Sequence, residues 1–367
     1  MRYDEYRQTR ARSTLVVLAA LLLAQCVDEG LPTTGVQGEF VRIYHDDEMV
    51  LCGGTLAYMD SFVDVFSETF AISPQPVDVY WVRNASGDEG YSCAEGVPGC
   101  YQSGPMRVIT SRVPHGHELT HALFGQNGLA PGSSVDEGIA HLFEENHWWS
   151  TFSLDAPITA VLDYRDPENG LFPAELRGRA SHFLGFIYNT YGIGALRALV
   201  RERVGGLLRE EQSKIFLDAT GDDLDTILEH YATAPECSLP EFRVALVACA
   251  QEPKAWNTGE DEWSALVTLG CGRADTVGSL NAAMWTTRVF DVDLPGEFEL
   301  LVPGNPDDAS YIEIGRCGST CTDSFFRTIR PGAPERFELA SGRYYSTFYR
   351  RGEDPGEIGL TVRRILP

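Results

Sequence analysis

Basic residues are scarce in this chain. Its 367 residues carry 29 Lys and Arg against 53 Asp and Glu, a formal net charge of −24. Such a surface repels nucleic acid and anionic lipid, so neither is expected as a partner. Long apolar runs are also missing: the uninterrupted run at residues 15–24 is too short to cross a bilayer comfortably and has the length of a signal-peptide hydrophobic region. No Gly-x-Ser-x-Gly elbow occurs, which argues against serine-nucleophile hydrolysis, and no Cys-x-x-Cys pair, which argues against a cysteine zinc site. There is no internal repeat and no low-complexity tract. Histidine is rare too, eight in the chain, yet two of the eight stand four residues apart in His117-Glu118-Leu119-Thr120-His121.

That HExxH spacing is a mechanism in itself. Residues four apart share one face of a helix, about 6 Å apart along its axis, so two imidazoles can converge on one Zn²⁺. Glu118 lies about 100° further round, off the metal but within reach of a water bound to it. The surroundings support a helix from about residue 115 to 124. Pro114 stands at its entry, Gly125 and Gly128 at its exit, and the β-branched stretch Val108, Ile109, Thr110, Val113 reads as a strand feeding it. Gly116 weakens the first turn unless the helix begins there.

A catalytic zinc takes three protein ligands and leaves one position to water. Glu137 is the candidate third ligand. A glycine-rich polar stretch, 125–134, lets the chain reverse, and Ile139, Leu142 and Phe143 mark a second helix that can carry Glu137 over the histidine pair. The alternative is a capping box, Ser134-x-x-Glu137, although Ser133 can cap that helix instead. Asp136 and Glu144 are candidates to hold the ligand histidines by hydrogen bonds, with a solvated carboxylate as the alternative for Glu144. His141 lies on the Glu137 face and reads as a substitute ligand, a wall of the site or a surface histidine. His115 reads as structural.

On these residues the chain resembles the glutamate zincins, the thermolysin-like and aminopeptidase-like metallopeptidases that carry HExxH on one helix and a glutamate on the next. Glu137-Gly138-Ile139-Ala140 carries the resemblance as much as residues 117–121 do, and residues 180–192 and 221–228 are similar to helices that follow the site. The resemblance implies His117, His121 and Glu137 as zinc ligands, Glu118 as general base, and a peptide or protein substrate. It also implies a tyrosine or histidine that stabilises the oxyanion, for which His182 and Tyr191 are candidates. The rival reading is a catalytically quiet zincin-fold surface protein that only binds. Glu118 discriminates the two, because it holds no metal and a quiet member would be expected to have lost it.

The N-terminus places this chemistry outside the cytoplasm. Arg2, Arg7, Arg10 and Arg12 precede the apolar run, so residues 1–25 read as a signal peptide. Leu23-Ala24-Gln25-Cys26 resembles a bacterial lipoprotein cleavage box, which implies lipidation at Cys26 and a membrane contact only through that anchor. Of nine cysteines, eight then remain, enough for four disulfides in an oxidising compartment. The pairs nearest in sequence are Cys93 with Cys100, Cys237 with Cys249, and Cys317 with Cys321, which leaves Cys52 and Cys271.

The expected fold is α+β in two parts. Residues 26–250 form the thermolysin-like catalytic domain, opened by an amphipathic helix at Met59, Phe62, Val63, Phe66 and Phe70 and a strand at 77–82. Residues 251–262 read as a linker. From 263 to 367, alternation at Phe290, Val292, Leu294, then Phe298, Leu300, then Phe337, Leu339, then Ile358, Leu360, Val362 predicts an antiparallel β-sandwich. Residues 340–346 are similar to the penultimate strand of pre-peptidase C-terminal domains.

Overall fold

The apolar spacing of residues 55–70 is realised as helix α1 (Thr55–Phe70), which buries Met59, Phe62, Val63, Phe66 and Phe70. The computed structural model describes residues 31–86, 93–94, 96–144, 153–165, 171–204, 207–252, 256–259, 262–280, 283–305, 309–318, 321, 324–352 and 354–366. The signal region 1–25 and Cys26 lie outside the described residues.

Helix α1 packs on a mixed sheet of β1 (Gly35–Gln37), β2 (Val41–His45), β3 (Val77–Trp81), β4 (Gly99–Gln102) and β5 (Arg107–Thr110), ordered β1-β2-β3-β5-β4. The three inner strands run parallel, and the edge strands β1 and β4 run antiparallel to their neighbours. The β-branched stretch expected to feed the HExxH helix is β5. It leads into α2 (Gly116–Gln126), and after one reversal α3 (Ser133–Leu142) follows. Then come α4 (Ile158–Leu162), α5 (Ala174–Tyr191), α6 (Ile193–Leu199), α7 (Arg209–Thr220), α8 (Leu224–Ala232), α9 (Leu239–Phe242) and α10 (Leu246–Ala250). A core of phenylalanines joins the layers, with Phe66 and Phe70 of α1 against Phe124 and Phe143.

Ten strands follow in two five-stranded antiparallel sheets: β6 (Asn257–Gly259), β7 (Glu262–Leu269), β8 (Val277–Leu280), β9 (Ala283–Val292), β10 (Gly296–Leu301), β11 (Ser310–Arg316), β12 (Phe326–Ile329), β13 (Glu335–Leu339), β14 (Gly342–Arg351) and β15 (Gly356–Arg364). Their orders are β13-β10-β15-β7-β6 and β12-β11-β14-β9-β8. Inward residues of both share one core, Phe298, Leu300, Leu360 and Val362 from the first against Phe290, Ile312, Ile314 and Phe348 from the second. The overall class is therefore α+β, with sandwich-like sheets at the C-terminal end. The stretch 251–262 is more than a connection: β6 lies inside it and pairs with β7, and Trp256 is buried against Phe290. Leu294, read as an inward strand residue, is exposed just past the end of β9.

The eight cysteines form four disulfides: one is a nearest-in-sequence pair, one joins the two cysteines left over, and two cross the expected pairs. Cys93–Cys100 and Cys52–Cys271 are present, but Cys237 pairs with Cys321 and Cys249 with Cys317. Three of the four therefore tie the helical part to the sandwich. Spacing along the chain misleads here because α10 packs on the sandwich, with Ala245 and Ala248 against Val289 and Tyr345, which brings Cys249 to Cys317. The start of α1 is pinned to the sandwich as well. The Gly53 and Gly54 amides donate to the carbonyls of Cys271 and Thr276, and a Cβ at Gly54 would meet the Ala274 and Thr276 carbonyl oxygens at 2.9 Å.

Candidate active site

Helix α2 begins at Gly116, so the glycine sits in the first helical position rather than inside a turn. His115 lies just outside it. It is buried, with Nδ1 2.8 Å from Thr110 Oγ1, and burial brings its pKa down to about 4, so it is a neutral structural histidine. In α3 the residue preceding the helix is Gly132, and no side chain caps it. Neither serine plays the capping role considered for it, since Ser133 is already helical, and Glu137 turns to other partners.

Those partners are the histidines of α2. His117 Nε2 and His121 Nε2 lie 3.1 Å apart. Glu137 Oε2 is 3.6 Å from His117 Nε2, and Glu137 Oε1 is 3.8 Å from His121 Nε2. Neighbouring ligands of a tetrahedral ion with bonds of about 2.0–2.1 Å stand about 3.3 Å apart, so these separations suit a single divalent cation. His117 Nδ1 and Glu137 Oε2 are buried without a hydrogen-bond partner. Glu137 Oε2 has the Arg177 guanidinium 3.3 Å away, and coordination of a cation would add a second positive partner for it.

The second nitrogens of both histidines face carboxylates. His121 Nδ1 is 2.9 Å from Asp136 Oδ1, and His117 Nδ1 is 3.9 Å from Glu144 Oε2. Glu144 is buried and also lies 3.5 Å from His141 Nδ1, so the solvated-carboxylate alternative for it does not hold. His141 is buried rather than on the surface: its Nε2 is 3.7 Å from Glu137 Oε2, and its ring packs 4.3 Å from that of His117. His117, His141 and Glu144 form a second group of close donors beside the first.

Burial and charge divide the protonation states. Desolvation and the neighbouring imidazoles hold His117 well below the usual histidine range, so its lone pair is available at neutral pH. Burial opposes a charged His121, but the Asp136 and Glu137 carboxylates outweigh it and push the pKa up to about 10. Glu118, only 6% exposed, is raised to about 7, chiefly by burial, with His121 opposing and Glu137 and Glu144 reinforcing.

All of these groups except Glu144 line one cleft of about 430 Å³. One wall is edge strand β4 with its flanks, including Pro98 and Tyr101; the other carries Leu171, Phe172 and Arg177. The two oxyanion candidates are not among its lining residues. Burial brings the His182 pKa down to about 4, and its Nδ1 lies 2.8 Å from the Tyr231 hydroxyl while its Nε2 lies 3.6 Å from Cys321 Sγ, beside the Cys237–Cys321 disulfide. Tyr191 donates to Asp222 at 2.9 Å, and burial and that carboxylate push its pKa up to about 12. Neither residue lines the cleft; of the α5 side chains it is Arg177 that does. Arg177 is the residue that sequence reading misses. Its Nε donates to the Phe172 carbonyl at 3.3 Å and stands 3.3 Å from Glu137 Oε2.

No protein-family model matches the chain, and no curated protein does. Among solved structures it is similar to the pre-peptidase C-terminal domain of a collagenase from Bacillus anthracis, at 14% identity over 27% of this chain and 87% of that one, TM-score 0.21. It is similar also to a Yersinia pseudotuberculosis-derived mitogen, at 9% over 29% and 87%, TM-score 0.20. A third is the carbohydrate-binding module of Cellvibrio mixtus lichenase 5A in complex with cellotriose, at 12% over 30% and 92%, TM-score 0.16. At these TM-scores the likenesses assign neither a family nor an activity.

Proposed function

We propose that the chain is a zinc-dependent peptidase of glutamate-zincin type, with His117, His121 and Glu137 as metal ligands and Glu118 as general base. One observation carries the reading: the donor atoms of the HExxH histidines and of a glutamate on the next helix converge in an open cleft, with Glu118 lining the same cleft. When bound there, zinc supplies Lewis acidity and brings the pKa of a coordinated water toward about 7.

The chain's own residues do the rest. Asp136 orients the His121 imidazole through Nδ1, which turns its Nε2 toward the shared point, while Glu144 lies 3.9 Å from His117 Nδ1 and adds negative charge on that side. Glu118, raised to about 7, is matched to accept a proton from water at neutral pH and to return it. In the reaction the water oxygen bonds to the scissile carbonyl carbon, the C–N bond breaks, and the proton held on the Glu118 carboxylate passes to the leaving amine. Edge strand β4 beside the cleft offers backbone groups along which an extended peptide can lie.

The four disulfides agree with an oxidising compartment, which supports an exported protein. Among the described residues no helix is long and apolar enough to cross a membrane; the proposed attachment is the lipid at Cys26. The test is a peptide library incubated with zinc-loaded protein and with chelator-treated protein, alongside elemental analysis. One zinc per chain and chelator-sensitive cleavage are expected. A folded, zinc-loaded chain that cleaves nothing would instead favour the binding-only reading.

A further inference from the structure

Arg177 stands out among the groups that line the cleft. Among the described lining residues it is the only lysine or arginine, set against Glu118, Asp136 and Glu137. Its Nε edge is taken, by the Phe172 carbonyl and by Glu137. Neither Nη nitrogen donates to an acceptor among the described residues, and the side chain is 17% exposed. A guanidinium anchored through Nε presents its Nη edge as a planar fork that suits a carboxylate, held by two parallel N–H···O bonds.

We propose, resting on the peptidase reading, that Arg177 receives the free C-terminal carboxylate of the substrate and makes the cleft selective for the last peptide bond of a chain. Distance sets this register. A terminal carboxylate carbon is three covalent bonds from the carbonyl carbon of the last peptide bond, about 3–4 Å away. Arg177 Nε is itself 3.3 Å from the carboxylate proposed as metal ligand, which puts the guanidinium within about one residue's length of the proposed metal. An internal peptide bond puts a neutral backbone amide at that point and leaves the fork without an anion. Leu171 is exposed on the same wall and offers apolar contact to the side chain of the departing residue. Hydrolysis then releases a single amino acid: water's oxygen joins the new C-terminal carboxylate, and its proton goes to the amine of the freed residue.

The test separates binding from turnover. Metal-free full-length protein is titrated calorimetrically with N-acetyl-L-phenylalanine and with its amide, in wild type, Arg177→Met and Arg177→Lys, each checked for native circular dichroism. The acid should bind wild type about tenfold more tightly than the amide, from one bidentate charge-assisted contact. Arg177→Met should erase that preference, and Arg177→Lys should keep part of it, having charge without the fork. Equal affinity for acid and amide in wild type, or a preference that survives in Arg177→Met, overturns the proposal. In the zinc-loaded protein, N-blocked peptides with free C-termini should lose single residues while amidated ones persist, and equal cleavage of both also overturns it. A protein that keeps the acid preference and cleaves neither peptide retains the carboxylate site and contradicts the peptidase reading instead.

Discussion

Replacing Glu118 by glutamine should make the metal-free protein more stable at alkaline pH while removing its activity. Burial raises the folded pKa of Glu118 from its ordinary 4.5 to about 7. The fold therefore binds this proton more tightly than the unfolded chain does. Below about pH 4.5 both states are protonated and no penalty exists; between 4.5 and 7 stability falls as pH rises, and above 7 the full cost of an ionised buried carboxylate is present. At about 1.4 kcal/mol per pH unit, the interval from 4.5 to 7 corresponds to about 3 kcal/mol. Glutamine keeps the volume and removes the charge. Urea unfolding of chelator-treated wild type and Glu118→Gln at pH 4 and pH 8 reads the difference: near zero at pH 4, up to about 3 kcal/mol in favour of the variant at pH 8. A variant equally or less stable at pH 8 would refute the claim that Glu118 is held in a desolvating site. Such a trade is the one expected of the proposed general base, whose local cost would be retained for the chemistry.

The other predictions probe what holds the site. Asp136→Asn leaves His121 Nδ1 without its carboxylate at 2.9 Å, and zinc affinity should fall about 10–100-fold in a competition titration with the fold intact by circular dichroism. Gly138 lets α3 approach α5, since a Cβ there would meet Leu184 Cδ1 at 2.7 Å and the Ala180 carbonyl at 3.1 Å; Gly138→Val should therefore lower both the thermal midpoint and zinc affinity, while Gly194→Ala, in open space, changes neither. Peptide mapping without reductant should recover Cys237 linked to Cys321 and Cys249 linked to Cys317. Removing the Cys249–Cys317 bridge, which with the enclosing Cys237–Cys321 bridge intact closes a path of only about 16 residues, should cost about 3 kcal/mol by the chain-entropy relation, read from urea midpoints of the double serine variant.

Much of this architecture is legible along the chain, for a physical reason: helix and strand periods are local. The five apolar positions of α1 and the alternation of Phe298, Leu300, Ile358, Leu360 and Val362 report directly on which face is buried. The HExxH and glutamate positions are legible because their spacing encodes one helix face and one reversal. What hides from the sequence is set by tertiary packing. Tyr191 and His182 share α5 with Arg177, and nothing in their spacing says that the helix turns the arginine to the cleft while the other two meet partners later in the chain, Asp222 and Tyr231. The crossed disulfides are hidden for the same reason, since sequence proximity gives no sign that α10 docks on the sandwich.

The most direct measurement is turnover of a peptide mixture by matched, zinc-quantified preparations of wild type and Glu118→Gln at pH 7.5. The account predicts one zinc per chain in both and hydrolysis that drops by about 10²–10⁴-fold in the variant, the usual worth of a positioned general base. Equal turnover in the two proteins, or none in a zinc-loaded wild type, would contradict it.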